Sequence, residues 1–560
     1  MELHRSQFCH CEATKRPKGV LLGWPKQSWP RNDRRGSASL ILLAIGLLTG
    51  GGHPLTAQGR YWSLADRTIV SDGAIVTAVA AGLDRVFACG PGGLLLYDPL
   101  VREWSGTYFP PVPEALARVS SAMIDPVDGS LWLAAGTDWL HYLPVVDSWE
   151  QGSLSGIIGT LAFDADIPAS GVYFRVAARW YLMPRGSNLP APAPAPARML
   201  RPATVEEALR DNPGLALIGN SLLLDGRRQP ARLLSVARDP GGRGWWLATD
   251  GVGLLFLPFG ATTPDRMMFG LPSRSVEAVY AAPGGVWAAT DVLGGTPAAV
   301  TFLPGSLVGA RWNFGPPATG LPFTRVARIT AMEQDLWLAT DGGLIRMPIN
   351  GDRIERYDEG RGLPDSRVYA VLARQGRIVA GTARGLAEIG DSGRMKRIAP
   401  SFGDPVNALE MDGDTLWVGT RLGLFAVRQG ALDLRLPAAL DQGPAFRAPV
   451  LAIAWLGDTL VALNVDRLLY RVPATGTWSL GPTISTELGS LRTMVVYADG
   501  LFVAGDRGVG FVRVNTSPSR VILVPDDLPS APRDLAVDND YLWVATASGL
   551  VRWNVSVVGP

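Results

Sequence analysis

One phrase, repeated along most of the chain, constrains the fold more than any other feature. Its clearest copy runs from Asp335 to Met347 and reads DLWLATDGGLIRM. Leu336 to Ala339 has the short, apolar character of a buried strand. Thr340 to Gly343 is a tight turn, because Asp-Gly and Gly-Gly tolerate the positive φ that short hairpins demand. Leu344 to Met347 is the returning strand. With the position of Trp337 as a marker, the copies fall at Phe87, Trp132, Phe174, Trp246, Trp287, Trp337, Ile378, Trp417, Leu460, Phe502 and Trp543. Most successive gaps are close to the ~40–45 residues of a four-stranded propeller blade.

The rest of each unit supplies two more strands. An apolar run such as Val368 to Leu372 precedes the phrase, as expected for a strand at the inner edge of a blade. An outer strand follows it, often with an aromatic residue: Trp104, Trp149, Trp312, Tyr357 or Trp478. The loop to the next unit repeats in turn, as GLPSRSV (Gly270 to Val276), GLPFTRV (Gly320 to Val326) and GLPDSRV (Gly362 to Val368). The expectation is an all-β chain, a β-propeller of about 11–12 four-stranded blades. This exceeds the ~4–8 blades usual for one ring, so two packed rings are expected, with one very large ring as the alternative.

LWLATDGGL together with GLPDSRVYAV resembles the two-component-regulator propeller repeat, known from periplasmic sensor regions of bacterial hybrid histidine kinases and related secreted proteins. The resemblance covers residues 60 to 556. It implies an exported propeller. Since the sequence ends at Pro560, shortly after the last repeat, the kinase output of that family is not expected to accompany it.

The ends bear on export and closure. Ser39 to Leu48 is an apolar run too short to span a bilayer comfortably. Arg34 and Arg35 precede it and Pro54 to Gln58 follow it, the pattern of a signal peptide cleaved near Ala57 or Gln58, with an uncleaved anchor as the alternative. Residues 1–58 are therefore assigned to a signal peptide with a long basic start, 59–320 to a first ring and 321–560 to a second. The expected location is periplasmic or extracellular, without stable membrane insertion after cleavage. Arg60 to Ser63 resembles the outer strand at Arg102 to Ser105, so the start of the mature chain is expected to complete the last blade; Val555 to Val558 is the alternative. Such closure would allow one ring to be inserted within the other. The long gap between Phe174 and Trp246 holds PAPAPAP (Pro190 to Pro196), a capping box at Thr204 to Glu207 and two weak strands within Leu215 to Leu224, and reads as a further blade, a decoration or a junction.

The chemistry-bearing residues are few. Without residues 1–58 the chain has 44 Lys/Arg and 48 Asp/Glu, a formal charge of −4, which argues against nucleic acid as a partner. Beyond residue 58 there is one histidine, His141, one lysine, Lys396, and one cysteine, Cys89. A proton-shuttling triad needs a histidine, and zinc or copper sites usually need several His or Cys ligands. His141 and Cys89 read as structural residues, and no cofactor, metal or catalytic residue is assigned. Paired carboxylates could still perform glycoside hydrolysis, but most Asp residues here stand in turns that explain them.

A binding surface is the stronger expectation. In a propeller, the loop between blades and the turn between second and third strands emerge on one face. That face should collect Arg274, Phe323, Arg325, Asp365, Arg367 and Arg533, with Asp250, Asp291 and Asp341 from the turns. Mixed Arg and Asp there would bind a protein or glycan through charge-assisted hydrogen bonds, or would pair between blades and fix their packing. The marker tryptophans are assigned to the core between blades. Three functional readings follow: a non-enzymatic exported scaffold binding a protein partner or polysaccharide, a carbohydrate-active enzyme with converging carboxylates, and the ligand-sensing part of a split two-component system.

Overall fold

The structure is a computed structural model that describes residues 66–558, apart from short stretches within 216–228, 292–324, 350–353, 390–402, 429–443 and 515–526 and the single positions 268, 375 and 539. The expected signal segment 1–58, the strand at 60–63 and the ring boundary at 320/321 lie outside the described residues. Among those described, the strands form eleven antiparallel sheets, nine of four strands, one of five and one of six. We number the sheets by their innermost strands in chain order: sheet 1 (Ala78–Ala81), 2 (Val119–Ile124), 3 (Ile158–Asp164), 4 (Gln229–Arg238), 5 (Val276–Ala282), 6 (Val326–Met332), 7 (Val368–Arg374), 8 (Val406–Asp412), 9 (Val450–Leu456), 10 (Leu491–Tyr497) and 11 (Pro532–Val537).

Every marker residue sits in the second strand of its sheet and is buried. The reason is local. The second strand lies between two strands of its own sheet, so its side chains meet the neighbouring sheets on both faces and must be apolar on both. The following turn is built from its own residues. In sheet 6, the Thr340 hydroxyl donates to the Gly343 carbonyl at 2.6 Å, and Thr382, Thr420 and Thr546 repeat the bond to Gly385, Gly423 and Gly549. Gly343 has φ +129°, and a Cβ there would meet the Tyr357 carbonyl oxygen at 2.4 Å, so glycine is required at this position.

The innermost strands show how the sheets are arranged. Those of sheets 5 to 11 neighbour one another in sequence order, and that of sheet 11 lies against that of sheet 5, which closes a cycle of seven. Those of sheets 4, 1, 2 and 3 neighbour one another in that order. Each innermost strand of the cycle begins with the same irregularity. The pairing skips one residue, between Val326 and Arg328 in sheet 6, Val368 and Ala370 in sheet 7, and Pro532 and Asp534 in sheet 11. Such a bulge bends the strand and re-aims the next side chain.

The N-terminal closure is present, at a different position from the one expected. Arg67–Val70 pairs with Gly549–Asn554 and forms the outer strand of sheet 11, with Ile69 opposite Val551 and Val70 opposite Leu550. Its β-branched Thr, Ile and Val suit a half-buried edge, and Ile69 enters a cluster with Val544, Val551 and Trp553. Val555–Val558 is a short helix, not a strand. Arg552 fixes the seam: its guanidinium donates to the Thr68 hydroxyl at 3.2 Å and to the Gly305 carbonyl, and lies 4.5 Å from the Tyr541 ring centroid. After this strand the chain builds sheets 1 to 4 and returns to sheet 5, so sheets 1 to 4 are inserted between the last strand of the cycle and its first sheet. The outgoing and returning segments run side by side, with the Leu271 amide donating to the Ser71 carbonyl at 2.6 Å.

The long gap makes no separate sheet among the described residues. Ala191–Ala193 is the outer strand of sheet 3, and Met199–Leu200 adds a fifth strand beside Phe163 and Asp164. Thr204 and Glu207 cap the helix Val205–Asp211 reciprocally, as the sequence indicated. Leu217–Ile218 and Ser221–Leu224 then extend sheet 4 to six strands.

Candidate binding faces

A channel of ≈ 200 Å³ runs where the seven innermost strands of the cycle converge, and every one of the seven lines it. The residue after the bulge decides its chemistry. In sheets 7, 8 and 9 that residue is Ala370, Ala408 or Ala452. In sheets 6, 10 and 11 it is Arg328, Thr493 or Asp534. These three polar residues meet. Arg328 donates from Nη1 to Asp534 Oδ1 at 2.6 Å and from Nη2 to the Thr493 hydroxyl at 3.4 Å. Asp534 Oδ2 accepts the Val279 amide at 3.0 Å. Asp534 is the carboxylate lining this channel, and it is already held by two sheets other than its own.

The expected face residues divide into separate groups. Arg325, Arg533 and Asp341 come together around Glu277, whose side chain is largely buried. Glu277 Oε2 accepts from Arg325 Nε at 3.1 Å, and Oε1 forms a close ion pair with Arg533, which also donates to the Ser275 hydroxyl at 2.9 Å. Asp341 Oδ1 accepts the Arg325 amide at 3.2 Å. Sheets 5, 6 and 11 are thereby tied at one carboxylate. Asp365 and Arg367 form a second group within the loop entering sheet 7. The Arg367 fork reaches both carboxylate oxygens at 3.0 Å, and its amide adds a bond of 2.9 Å. The hydrogen bonds from Arg367 hold the Asp365 carboxyl below its usual range, against the opposing effect of burial.

The remaining candidates are placed elsewhere. Phe323 is buried between sheets 5 and 6 with Trp287, Val326 and Leu338, so it packs the core and offers no surface. Asp291 lies after the second strand of sheet 5, with its amide on the Ser275 carbonyl at 2.8 Å. Asp250 ends the second strand of sheet 4, exposed and opposite Arg232 in register. Arg274 donates to the Pro91 carbonyl at 2.8 Å, in the turn between the second and third strands of sheet 1. His141 stacks on Trp132 with ring centroids 3.9 Å apart, and its nitrogens meet Glu150 Oε2 at 3.0 Å and the Ser130 hydroxyl at 2.8 Å. Cys89 is fully buried, and burial pushes its thiol pKa well above the usual range.

Glu277, which gathers Arg325 and Arg533, and Arg328, Thr493 and Asp534, which meet in the channel, were not among the sequence candidates. A signal for them exists. When the repeats are aligned on the first residue of the innermost strand, the third position is alanine in most units of the cycle, and Arg328, Thr493 and Asp534 are the departures.

A different surface distinguishes sheets 1 to 3. In each sheet, the turn between first and second strands and the turn between third and fourth emerge at the same end, because successive strands are antiparallel. At that end of sheets 6, 8, 9 and 10 the first turn is polar: Glu333-Gln334, Gly413-Asp414, Gly457-Asp458 and Ala498-Asp499. In sheets 1 to 3 the same positions carry Leu83, Val127 and Ile167. The second turns add Leu100-Val101 and Val145-Val146, and Leu189 follows in sheet 3. All eight side chains are more than half exposed, Val145 reaching 88%.

Blades of antiparallel strands that share an axis through their innermost strands make this an all-β protein of the β-propeller class. Among solved structures, the chain is similar to the extracellular domain of a hybrid two-component system, BT4673, from B. thetaiotaomicron, at 14% identity and a TM-score of 0.43 over 86% of this chain and 70% of that one. It is also similar to PorZ, a surface component of the type-IX secretion system of Porphyromonas gingivalis, at 16% identity and a TM-score of 0.41 over 89% and 73%. A third is virginiamycin B lyase from Staphylococcus aureus, at 14% identity and a TM-score of 0.40 over 50% and 94%. No protein-family model and no curated protein matches the chain.

Proposed function

We propose that this chain is an exported, non-enzymatic propeller scaffold that binds a protein partner through the apolar turn face of sheets 1 to 3. The observation that carries the reading is the set of exposed Leu, Val and Ile side chains at corresponding turn positions of three successive sheets. Turns favour Gly, Asn, Asp and Ser for backbone reasons, and single exposed apolar residues need no explanation. Eight at one end of three neighbouring sheets constitute a surface of the kind that marks protein association. The ion pairs of the cycle support the same reading. Glu277, Asp534 and Asp365 are each committed to arginines, which stiffens the cycle as a frame. Export rests on the apolar run Ser39 to Leu48 and its flanks, and among the described residues no helix is long and apolar enough to cross a membrane. We further propose that the two units of the propeller are the inserted sheets 1 to 4 and the cycle of sheets 5 to 11 with its closing strand.

The test is site-specific photo-crosslinking in intact cells of the source organism. A crosslinker at Val146 should capture one discrete protein, and one at Leu422, an exposed residue in a turn of sheet 8, should not. Replacing Leu100 and Val145 with Asp should abolish the capture without changing the melting temperature. Equal capture at both positions, or glycan binding unaffected by the Asp substitutions, would refute the proposal.

A further inference from the structure

A cavity of ≈ 410 Å³ lies at the seam where the closing strand meets sheets 1 and 2. That volume is within the range of small-molecule sites, ~300–1,000 Å³. Segments far apart in sequence build it: Arg67 from the closing strand, Tyr108 and Trp149 from the outer strands of sheets 1 and 2, and Glu114, Asp147 and Arg274 from the loops and turns between strands.

Its walls combine aromatic surface with both signs of charge. Tyr108 and Trp149 flank the buried Tyr142, with ring centroids 5.6 and 4.6 Å from it. The Tyr142 hydroxyl donates to Asp147 Oδ1 at 2.9 Å and so orients that carboxylate. Asp147 has φ +46°, a left-handed conformation held by the turn. Among the described residues Arg67 gives one hydrogen bond, from Nη1 to the Asp527 carbonyl at 3.1 Å, and makes no ion pair. A guanidinium has five donors, so Arg67 retains capacity for a bidentate carboxylate. Burial lowers its pKa, with Asp147 and Asp527 acting in the opposite direction; an added carboxylate would relieve that cost. Arg274 brings a second guanidinium, and Glu114 a second carboxylate.

We propose that this cavity binds a small zwitterion carrying a flat apolar ring, of which a free aromatic amino acid is the simplest. Arg67 and Arg274 would take the carboxylate, Asp147 and Glu114 the ammonium, and Tyr108, Phe109 and Trp149 the ring. Equal numbers of opposite charges disfavour simple anions and simple cations, because each would face two like charges. The cavity borders the apolar turn face at one point, since Asp147 closes the turn that carries Val145 and Val146, and its remaining lining residues lie outside those turns.

Titration calorimetry on the protein tests this with L-phenylalanine, phenylacetate, which lacks the ammonium, and phenethylamine, which lacks the carboxylate. L-phenylalanine should bind, and each truncated probe should bind at least tenfold more weakly. Arg67→Met and Asp147→Asn should each lower the affinity for L-phenylalanine at least tenfold. Asp147→Asn keeps the fold, since asparagine tolerates positive φ and can still accept from Tyr142, so it decides the matter if Arg67→Met disturbs the closing strand. No binding of L-phenylalanine or L-tryptophan at about 10 mM, phenylacetate binding as tightly as L-phenylalanine, or an unchanged affinity in Asp147→Asn would each overturn the assignment.

Discussion

Replacing Asp534 with alanine should loosen the cycle of seven sheets at its axis. The Asp534 side chain is 5% exposed and joins three sheets: its own, sheet 5 through the Val279 amide and sheet 6 through Arg328. Alanine leaves the Val279 N–H without its acceptor, at a cost of about 1–3 kcal/mol. It also strands the Arg328 guanidinium. Breaking a fully buried pair costs about 3–5 kcal/mol, but Arg328 is 30% exposed, so water recovers much of that. A total of about 3 kcal/mol is expected. The cycle from Val276 to Asn554 spans 279 residues, for which the unfolding entropy is roughly 0.6 kcal/mol/K, so its melting temperature should fall by about 5 °C. The Asp534→Asn variant keeps an acceptor but loses the charge, and its melting temperature should fall by about half as much. Hydrogen exchange supplies the site-specific readout, because the Val279 amide should lose protection in Asp534→Ala before neighbouring amides do. A double-mutant cycle between Asp534→Asn and Arg328→Met should show a coupling of about 1–2 kcal/mol. A melting shift under about 1 °C with an unchanged Val279 amide would refute the claim that this contact fastens the three sheets.

Deleting residues 59–72 should expose the edge Gly549–Asn554 and shift the protein toward larger, aggregated species in size-exclusion chromatography, because an unpaired edge recruits other strands; a truncation that elutes as the parent chain does would show that the closing strand is dispensable. Asp72 should make stability depend on pH. Burial raises its pKa from 3.8 to about 6, with the Ala74 amide and Arg274 opposing. The native state therefore holds the proton more tightly than the unfolded chain, so this contribution is fully present below pH ~3.8 and is lost as pH rises through about 6, amounting to about 3 kcal/mol. Asp72→Asn should flatten that part of the stability profile and raise stability at pH 7, and an unchanged profile from pH 4 to 7 would contradict the reasoning. Cys89 should resist thiol reagents in the folded protein and react at the rate of unfolding, since it is fully buried; prompt labelling under native conditions would show that sheet 1 opens locally.

The repeat phrase specifies the blades on its own, because everything in it is local. The strand, the Thr-anchored turn and the glycine at positive φ are set by residues within a dozen positions of Trp337, and so recur wherever the phrase recurs. Burial of Trp246, Trp417 and Trp543 followed from the same pattern. The capping box at Thr204 was equally readable, since its two partners are three residues apart. Three features depended on the tertiary fold. Which segment closes sheet 11 depended on which residues bury against Val551 and Leu550. Arg60 to Ser63 carries a local likeness to an outer strand, whereas Ile69 and Val70 have the apolar pair that the seam requires. Which sheets are neighbours is a matter of pairs hundreds of residues apart, such as sheets 5 and 11, and no local pattern encodes it. The role of each charged residue was likewise non-local. Arg325 and Arg533 read alike in their loops, yet both are defined by Glu277, and Phe323 stands in the same loop but turns into the core. An arginine that faces solvent and one that meets a carboxylate from another sheet share one sequence context; only the closed cycle, which brings those sheets to a common axis, distinguishes them.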